Sequence, residues 1–193
     1  MANYKLLVPF LLKWEGGIAN DKNDKGGLTN KGITYDTYKN LCSIVYKVKP
    51  SLDHFHSLSD DEVGLMVEWY WNQSTGGNQI SSQRIAESIT TWRWGSGTLG
   101  LKWFQTMLNK EYNAKLLVDG VIGKKTTQFI NSLDEVALFR MALKYRRDRF
   151  FQIVSDDKTQ SKFLKGWLNR LRSFASRYNE TEYFDKIENY GKE

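Results

Sequence analysis

The chain has 193 residues, of which 40% are hydrophobic, so it can bury a substantial core as one compact domain or two closely associated subdomains. It carries 28 Lys and Arg against 22 Asp and Glu, and the net charge of +6 favours anionic polymers such as nucleic acid, membrane surfaces or bacterial wall polymers without choosing among them. The single cysteine, Cys42, excludes an intramolecular disulfide and a cysteine-based zinc cluster, and no apolar run is long enough to span a bilayer.

The first predicted element is a helix that ends beside a pair of glycines. Its apolar positions recur at helical spacing and are Leu7, Phe10, Leu11 and Trp14. Gly16 and Gly17 supply the stop, so Glu15 falls near the carboxyl end of this helix. The following residues, 16–32, are rich in glycine, asparagine, aspartate and lysine, which indicates an ordered functional loop or a small hairpin.

Helices are predicted for most of the remaining chain. Thr34 can cap one helix, Ser59 and Glu62 form a capping box before another, and Asp134 can cap a third. Glycine-containing breaks at 72–79 and 95–97, and a tight turn at 119–123, separate further helices. The sequence therefore predicts a mainly α fold with one small β-hairpin, divided into regions 1–94 and 95–178 and a tail at 179–193.

Metal ligands are not expected in this sequence. His54 and His56 lie in a polar stretch without a carboxylate at ligand spacing, and we interpret both as surface residues. The run that begins at Asp21 starts like a calcium loop, but Lys25 and Gly32 occupy its fifth and twelfth positions, where oxygen ligands are required. We therefore predict neither a metal nor another cofactor.

The chemistry-bearing residues cluster after the first helix. Asp24 follows Glu15 by nine residues and Thr29 follows it by fourteen, so a hairpin returning over the helix end would aim all three at one cleft. Glycoside hydrolysis needs an acid that protonates the leaving oxygen and, in the inverting case, a means of activating water. Glu15 can be that acid if its surroundings raise its pKa, while Asp24 and Thr29 can hold the water. The alternative for Glu15 is an exposed glutamate at a helix end.

Residues 11–34 resemble the signature of the glycoside hydrolase 108 family of bacterial and phage N-acetylmuramidases, some of whose members are labelled secretion activator proteins. Segments 104–105, 119–126 and 166–170 resemble that family's predicted peptidoglycan-binding region. The resemblance implies a helical, lysozyme-like fold and Glu15 as the general acid that cleaves the β-1,4 bond between N-acetylmuramic acid and N-acetylglucosamine. The order of acid, Asp24 and Thr29 also resembles phage lysozymes.

Further residues are candidates for substrate binding. Asn30 and Lys31 follow Thr29 directly and are expected to contact the glycan. Tyr70 and Trp71 close the capping-box helix, and this aromatic pair fits either stacking on a sugar ring or packing in the core.

The sequence departs from the family pattern at three places. Where the family has an aspartate and an asparagine before a Ser-Gly pair, residues 91–97 read Thr-Trp-Arg-Trp-Gly-Ser-Gly, and a family tyrosine and proline are replaced by Ile18 and Lys25. These departures motivate a second hypothesis, a non-catalytic peptidoglycan-binding or secretion-accessory protein. A third, a basic nucleic-acid binder, rests on charge alone, since no nucleic-acid-binding motif is present.

The expected partner is bacterial peptidoglycan, with no nucleic acid and no membrane insertion, and the expected state is a monomer. The amino-terminal stretch lacks a small-residue cleavage pattern before Glu15, so no signal peptide is predicted. We expect synthesis in the cytoplasm of a bacterium or phage-infected cell and action at the wall or periplasm after export or lysis, as for an endolysin. The stereochemical outcome, inverting or retaining, stays open at this stage.

Overall fold

The computed structural model describes residues 2–14, 16–19 and 27–189. Two short strands, β1 (Thr29–Asn30) and β2 (Ile33–Thr34), form an antiparallel pair. The helices are α1 (Val8–Trp14), α2 (Tyr35–Val45), α3 (Leu52–His56), α4 (Asp60–Gln73), α5 (Gln83–Tyr112), α6 (Lys124–Asn131), α7 (Glu135–Asp156), α8 (Ser161–Ser176) and α9 (Thr181–Asn189). This confirms the mainly α, lysozyme-like fold with one small hairpin.

Side-chain caps determine where three of the predicted helices begin. The side chains of Thr34, Ser59 and Asp134 each accept a hydrogen bond from the backbone N–H three residues later. At Ser59 the bond is reciprocal, because the Glu62 carboxylate accepts from the Ser59 backbone, so the predicted capping box is present. Such caps stabilise a helix by about 1 kcal/mol each, which explains why they are readable from the sequence.

The residues from Met1 to Asn131 form one compact unit. Its interior is built from helices α1 to α5 around large apolar side chains, each of which stabilises the fold by about 1.5–3 kcal/mol when fully buried. Fully buried members of this core include Leu11, Tyr38, Phe55, Met66, Ile89 and Phe104. The hairpin is therefore attached to a well-packed scaffold.

Helix α5 contains the break that the sequence predicts at 95–97. The helix runs from Gln83 to Tyr112, but Gly97 has φ 60° and ψ −151°, which kinks it. This backbone region is essentially restricted to glycine. At Gly100 a Cβ atom would come within 2.3 Å of the Trp92 carbonyl oxygen, so the turn after the kink also packs too closely for a side chain.

The residues from Ser132 to Glu193 form a second compact unit, in which α7, α8 and α9 pack against one another. Its aromatic core contains Phe139 and Phe174, whose ring centroids are 5.6 Å apart. The segment 179–193, interpreted from the sequence as a tail, contains helix α9. Phe184 of α9 is fully buried, and Asp185 pairs with Arg172 at 2.7 Å.

The boundary between the two compact units follows Asn131, whereas the sequence-based division into regions 1–94 and 95–178 stays a prediction. Across the described ranges 2–14, 16–19 and 27–189, no helix combines the length and the apolar character needed to cross a membrane.

Candidate active site

Helix α1 leads the chain to the predicted acid. Phe10 and Leu11 are buried and hold the helix against the core, and the last helical residue is Trp14. The Nε1–H of the Trp14 indole is buried and has no acceptor among the residues that the structure describes. Glu15 follows directly but lies outside the described residues, as does Asp24, so the structure says nothing about either side chain.

The chain returns to the end of α1 through a short antiparallel bridge. Ala19 and Thr29 exchange two backbone hydrogen bonds, of 2.8 and 2.9 Å. The predicted hairpin is therefore present, and it closes the loop in whose sequence Asp24 lies. The half-buried Thr29 donates its hydroxyl proton to the carbonyl oxygen of Gly27 at 3.1 Å. The lone pairs of that hydroxyl stay available to accept a hydrogen bond from water or from a substrate hydroxyl.

The tip of the hairpin is a two-residue turn. Thr29 pairs with Thr34 and Asn30 with Ile33, which leaves Lys31 and Gly32 as the connection. Both turn residues have positive φ, 46° and 79°, as a type I′ turn requires. The twist of this turn matches that of the flanking strands, so the local sequence itself specifies a narrow hairpin.

Asn30 attaches the hairpin to helix α3. Its side chain is 3% exposed, and its Nδ2 donates to the carbonyl oxygens of Phe55 at 2.6 Å and His56 at 3.3 Å. Lys31 adds a second attachment, because its Nζ lies 2.5 Å from the carboxylate of Asp60 at the start of α4. Both residues are predicted substrate contacts, and in this structure their polar side-chain groups have intramolecular partners.

Tyr70 and Trp71, the predicted sugar-stacking pair, lie in the interior. They are 4% and 2% exposed. A Cβ atom at Gly77 would come within 2.4 Å of the Trp71 ring, so that ring is covered by backbone. A sugar can stack only on a ring that solvent reaches, and we therefore leave both residues out of the proposed site.

One residue missed by the sequence analysis packs on Tyr70. The guanidinium carbon of Arg93 lies 4.3 Å from the Tyr70 ring centroid, and Arg93 Nε donates to the Ser74 hydroxyl at 3.1 Å. Burial raises the pKa of Tyr70, and the nearby charge of Arg93 and the Thr37 side chain oppose this increase. Arg93 lies within segment 91–97, where the sequence departs from the family pattern. This departure was the only feature of the sequence that drew attention to the residue.

His54, interpreted from the sequence as a surface residue, is half-buried and makes contacts on both ring nitrogens. Its Nδ1 lies 2.8 Å from the Tyr38 hydroxyl and its Nε2 lies 2.5 Å from a Glu62 oxygen, so the ring links α2, α3 and α4. Burial raises the pKa of Glu62, but hydrogen bonds from Ser59 and His54 outweigh it and leave this pKa below its usual value. His56 is exposed, as expected.

The second motif of the sequence analysis, Phe104-Gln105 with the Asp119-Gly120 turn, is one local assembly. Gln105 Oε1 accepts from the Gly120 backbone at 2.7 Å, and its Nε2 donates to the Asp119 carboxylate at 2.9 Å. The Gln105 hydrogen bond lowers the pKa of Asp119. Gly120 has φ 82°, and a Cβ atom there would come within 2.5 Å of Thr98. These residue types therefore hold a turn against α5.

The chain is similar to two protein families and to solved structures with a related fold. Residues 8–97 match the family model described as Glycosyl hydrolase 108, and residues 99–172 match the model described as Predicted Peptidoglycan domain. A solved structure of Brucella abortus SagA shares the fold with a TM-score of 0.66 at 23% identity, over 90% of this chain and 92% of that one. No curated protein sequence matches the chain.

The two family matches are adjacent in the sequence and together extend from residue 8 to residue 172. The first contains α1, the Ala19–Thr29 bridge and the hairpin. The second contains the Asp119-Gly120 turn, which is hydrogen-bonded to Gln105. Residues 8–97 therefore form a region of the glycosyl hydrolase 108 family and residues 99–172 a predicted peptidoglycan domain, and together they support a glycoside hydrolase that acts on peptidoglycan.

Proposed function

We propose that the protein is an N-acetylmuramidase that cleaves the β-1,4 bond between N-acetylmuramic acid and N-acetylglucosamine, with Glu15 as the general acid. The observation that carries this proposal is the Ala19–Thr29 bridge. It returns the hairpin, with the Thr29 hydroxyl, to the segment that directly follows the end of α1. An acid and a water-binding group near one another are the minimum that acid-assisted hydrolysis requires.

The surroundings of the α1 end support an acid at position 15. The carboxyl end of a helix carries partial negative charge, which disfavours a carboxylate and raises its pKa. Among the described residues, the buried indole N–H of the preceding Trp14 finds no acceptor, so this part of the surroundings is poor in polar groups. Gly16 and Gly17 are exposed, and no described residue beyond their chain neighbours comes within 4 Å of the position that a Cβ would occupy, which leaves room for substrate on that side.

The Thr29 hydroxyl is suited to orient the attacking water. Because its own proton goes to the Gly27 carbonyl oxygen, it meets a water as an acceptor. A water that donates one hydrogen bond to Thr29 and the other to Asp24 keeps a lone pair for the anomeric carbon. We therefore propose that Asp24 supplies the negative charge beside the attacking water and that the Thr29 hydroxyl orients this water. We infer that the reaction uses a pair of carboxyl groups, as most glycosidases do.

The product ends test this proposal. Purified protein is incubated with sacculi, and the released fragments are reduced and identified by mass spectrometry. We expect reduced N-acetylmuramic acid at the new ends, whereas reduced N-acetylglucosamine would identify a glucosaminidase and contradict the assigned bond. Binding to sacculi without any release would instead favour a non-catalytic peptidoglycan-binding or secretion-accessory protein, which the departures at 91–97 motivate.

We further propose that the protein acts as a monomer at the bacterial wall or in the periplasm, after export or lysis as for an endolysin. The positive net charge of the chain supports this location, because anionic wall polymers attract it. Sedimentation of the purified protein alone and with soluble glycan fragments would test the monomeric state.

A further inference from the structure

Arg93 is held in one orientation on helix α5, four residues before the kink at Gly97. Its Nε donates to the Ser74 hydroxyl at 3.1 Å, and its guanidinium lies over the Tyr70 ring at 4.3 Å from the centroid. These two contacts restrain the position of the guanidinium group. The side chain is nevertheless only half-buried.

No carboxylate neutralises Arg93 within the described part of the chain. Its contacts there are the neutral Ser74 hydroxyl and the Tyr70 ring, and both are satisfied without the two Nη groups. Elsewhere Arg172 is paired with Asp185, and Arg140 with Glu180, at 2.7 Å each. Arg93 therefore combines a restrained position with a charge that no carboxylate of the described residues compensates.

The approach to Arg93 is kept open by a glycine. A Cβ atom added at Gly97 would lie 3.6 Å from Arg93 Nη1, so any larger side chain there would begin to cover the guanidinium. Gly97 also has a φ and ψ combination that only glycine adopts readily. Uncommon backbone conformations of this kind cluster at functional sites, and here one lies next to a cation.

A chain of contacts connects Arg93 with the catalytic hairpin. The Tyr70 side chain beneath Arg93 interacts with Thr37, and the Thr37 hydroxyl is 3.0 Å from that of Thr34. Thr34 is the cross-strand partner of Thr29. The Arg93 guanidinium is thus connected, through Tyr70, Thr37 and Thr34, with the proposed water-binding Thr29.

From this geometry we infer that Arg93 binds a carboxylate of the substrate, one that belongs to a muramyl residue. A planar, fixed guanidinium matches a carboxylate through two parallel N–H···O bonds. In peptidoglycan the carboxylates are carried by the lactyl group of N-acetylmuramic acid or by the stem peptide attached to it, and N-acetylglucosamine has none. Arg93 therefore selects glycans that contain muramic acid over chitin, an inference that rests on the proposed function.

Binding measurements with three soluble glycans test this inference. The glycans are a tetrasaccharide of alternating N-acetylglucosamine and N-acetylmuramic acid with free lactyl carboxylates, the same tetrasaccharide bearing stem peptides, and chitotetraose. All proteins carry Glu15→Gln, so affinity is measured without turnover. Arg93→Gln should weaken binding of a muramyl glycan about tenfold to a hundredfold and leave chitotetraose unchanged, as expected for a lost charge-assisted contact.

The two muramyl glycans distinguish the sources of the carboxylate. A loss with the free lactyl glycan alone assigns the lactyl group, whereas a loss with the peptide-bearing glycan assigns the stem peptide. Equal losses for all three glycans, or no loss for any, would overturn the inference. If the protein without the Glu15→Gln change does not cleave sacculi, but an Arg93-dependent preference for muramyl glycans is measured, the proposed muramidase activity is refuted. The carboxylate-binding site at Arg93 then still holds.

Matched variants separate recognition from folding. Lys186→Gln makes the same change of charge at an exposed position of α9, outside both family matches, and should leave all three affinities unchanged. Arg93→Lys keeps the charge but loses the planar fork, so its affinity for the muramyl glycan should lie between those of wild type and Arg93→Gln. If Arg93→Gln fails to fold, the lysine variant decides, and wild-type affinity in it would contradict bidentate recognition.

Discussion

Replacing Asn30 with alanine separates an anchoring role from the substrate contact that the sequence predicts. The Asn30 amide is 3% exposed and donates to two carbonyl oxygens of α3, at 2.6 and 3.3 Å. Asn30→Ala removes both bonds and leaves the buried oxygens without this donor. At about 1–3 kcal/mol for leaving a buried polar group unpaired, we expect a total loss of roughly 2–4 kcal/mol in the free energy of unfolding.

Urea unfolding measures this loss, and steady-state kinetics on sacculi measures its effect on catalysis. Because Asn30 adjoins Thr29 in β1, a loosened hairpin should lower kcat more than it raises KM. Lys31→Ala is the matched control, since its ion pair with Asp60 is solvent-exposed and contributes only about 0–1 kcal/mol.

Two results would refute the anchoring argument. One is an unfolding free energy for Asn30→Ala within about 0.5 kcal/mol of wild type, the range of ordinary surface substitutions. The other is a normal stability combined with a raised KM and unchanged kcat, which would return Asn30 to the substrate-binding role predicted from the sequence.

Three further predictions concern the water site, the core and acid stability. Thr29→Val should reduce turnover less than Asp24→Asn, and the double variant should show less than the sum of the two losses if both groups act on one water; additive kinetics would contradict that arrangement. Gly77→Ala should lower the midpoint of urea unfolding markedly, because the new Cβ would come within 2.4 Å of the Trp71 ring, and an unchanged midpoint would refute this packing. The pKa of Glu62 is lowered on folding, so its contribution to stability is present above its unfolded pKa and lost as pH falls through the folded pKa. Glu62→Gln should therefore lose less stability than wild type on acidification below about pH 4.5, and parallel stability-pH curves would exclude this role.

Local signals made much of the fold predictable. The caps at Thr34, Ser59 and Asp134 act within three residues, and the glycine kink in α5 lies where the sequence places a break. The return of the chain toward α1 was also predictable, because the loop is too polar and glycine-rich for a helix. Each of these features depends on neighbours along the chain, which a single sequence displays.

The roles of individual site residues depend on contacts that the sequence does not display. Asn30 binds a carbonyl 25 residues away, and Arg93 binds a hydroxyl 19 residues away, so neither partner could be inferred from spacing. Tyr70 has the residue type of a sugar-stacking group, and only its burial distinguishes the two roles. The polar sequence around His54 predicts a surface residue but does not reveal its contacts with Tyr38 and Glu62.

The measurement that tests the central claim most directly is the turnover of purified sacculi by Glu15→Gln. The amide keeps the size of the side chain but has no proton to give, so we expect a loss of about a hundredfold to ten-thousandfold with an unchanged melting temperature. Glu182→Gln, the same change at an exposed position of α9, is the control and should retain wild-type activity. Near wild-type turnover by Glu15→Gln would contradict the account, because Glu15 would then not be the catalytic acid.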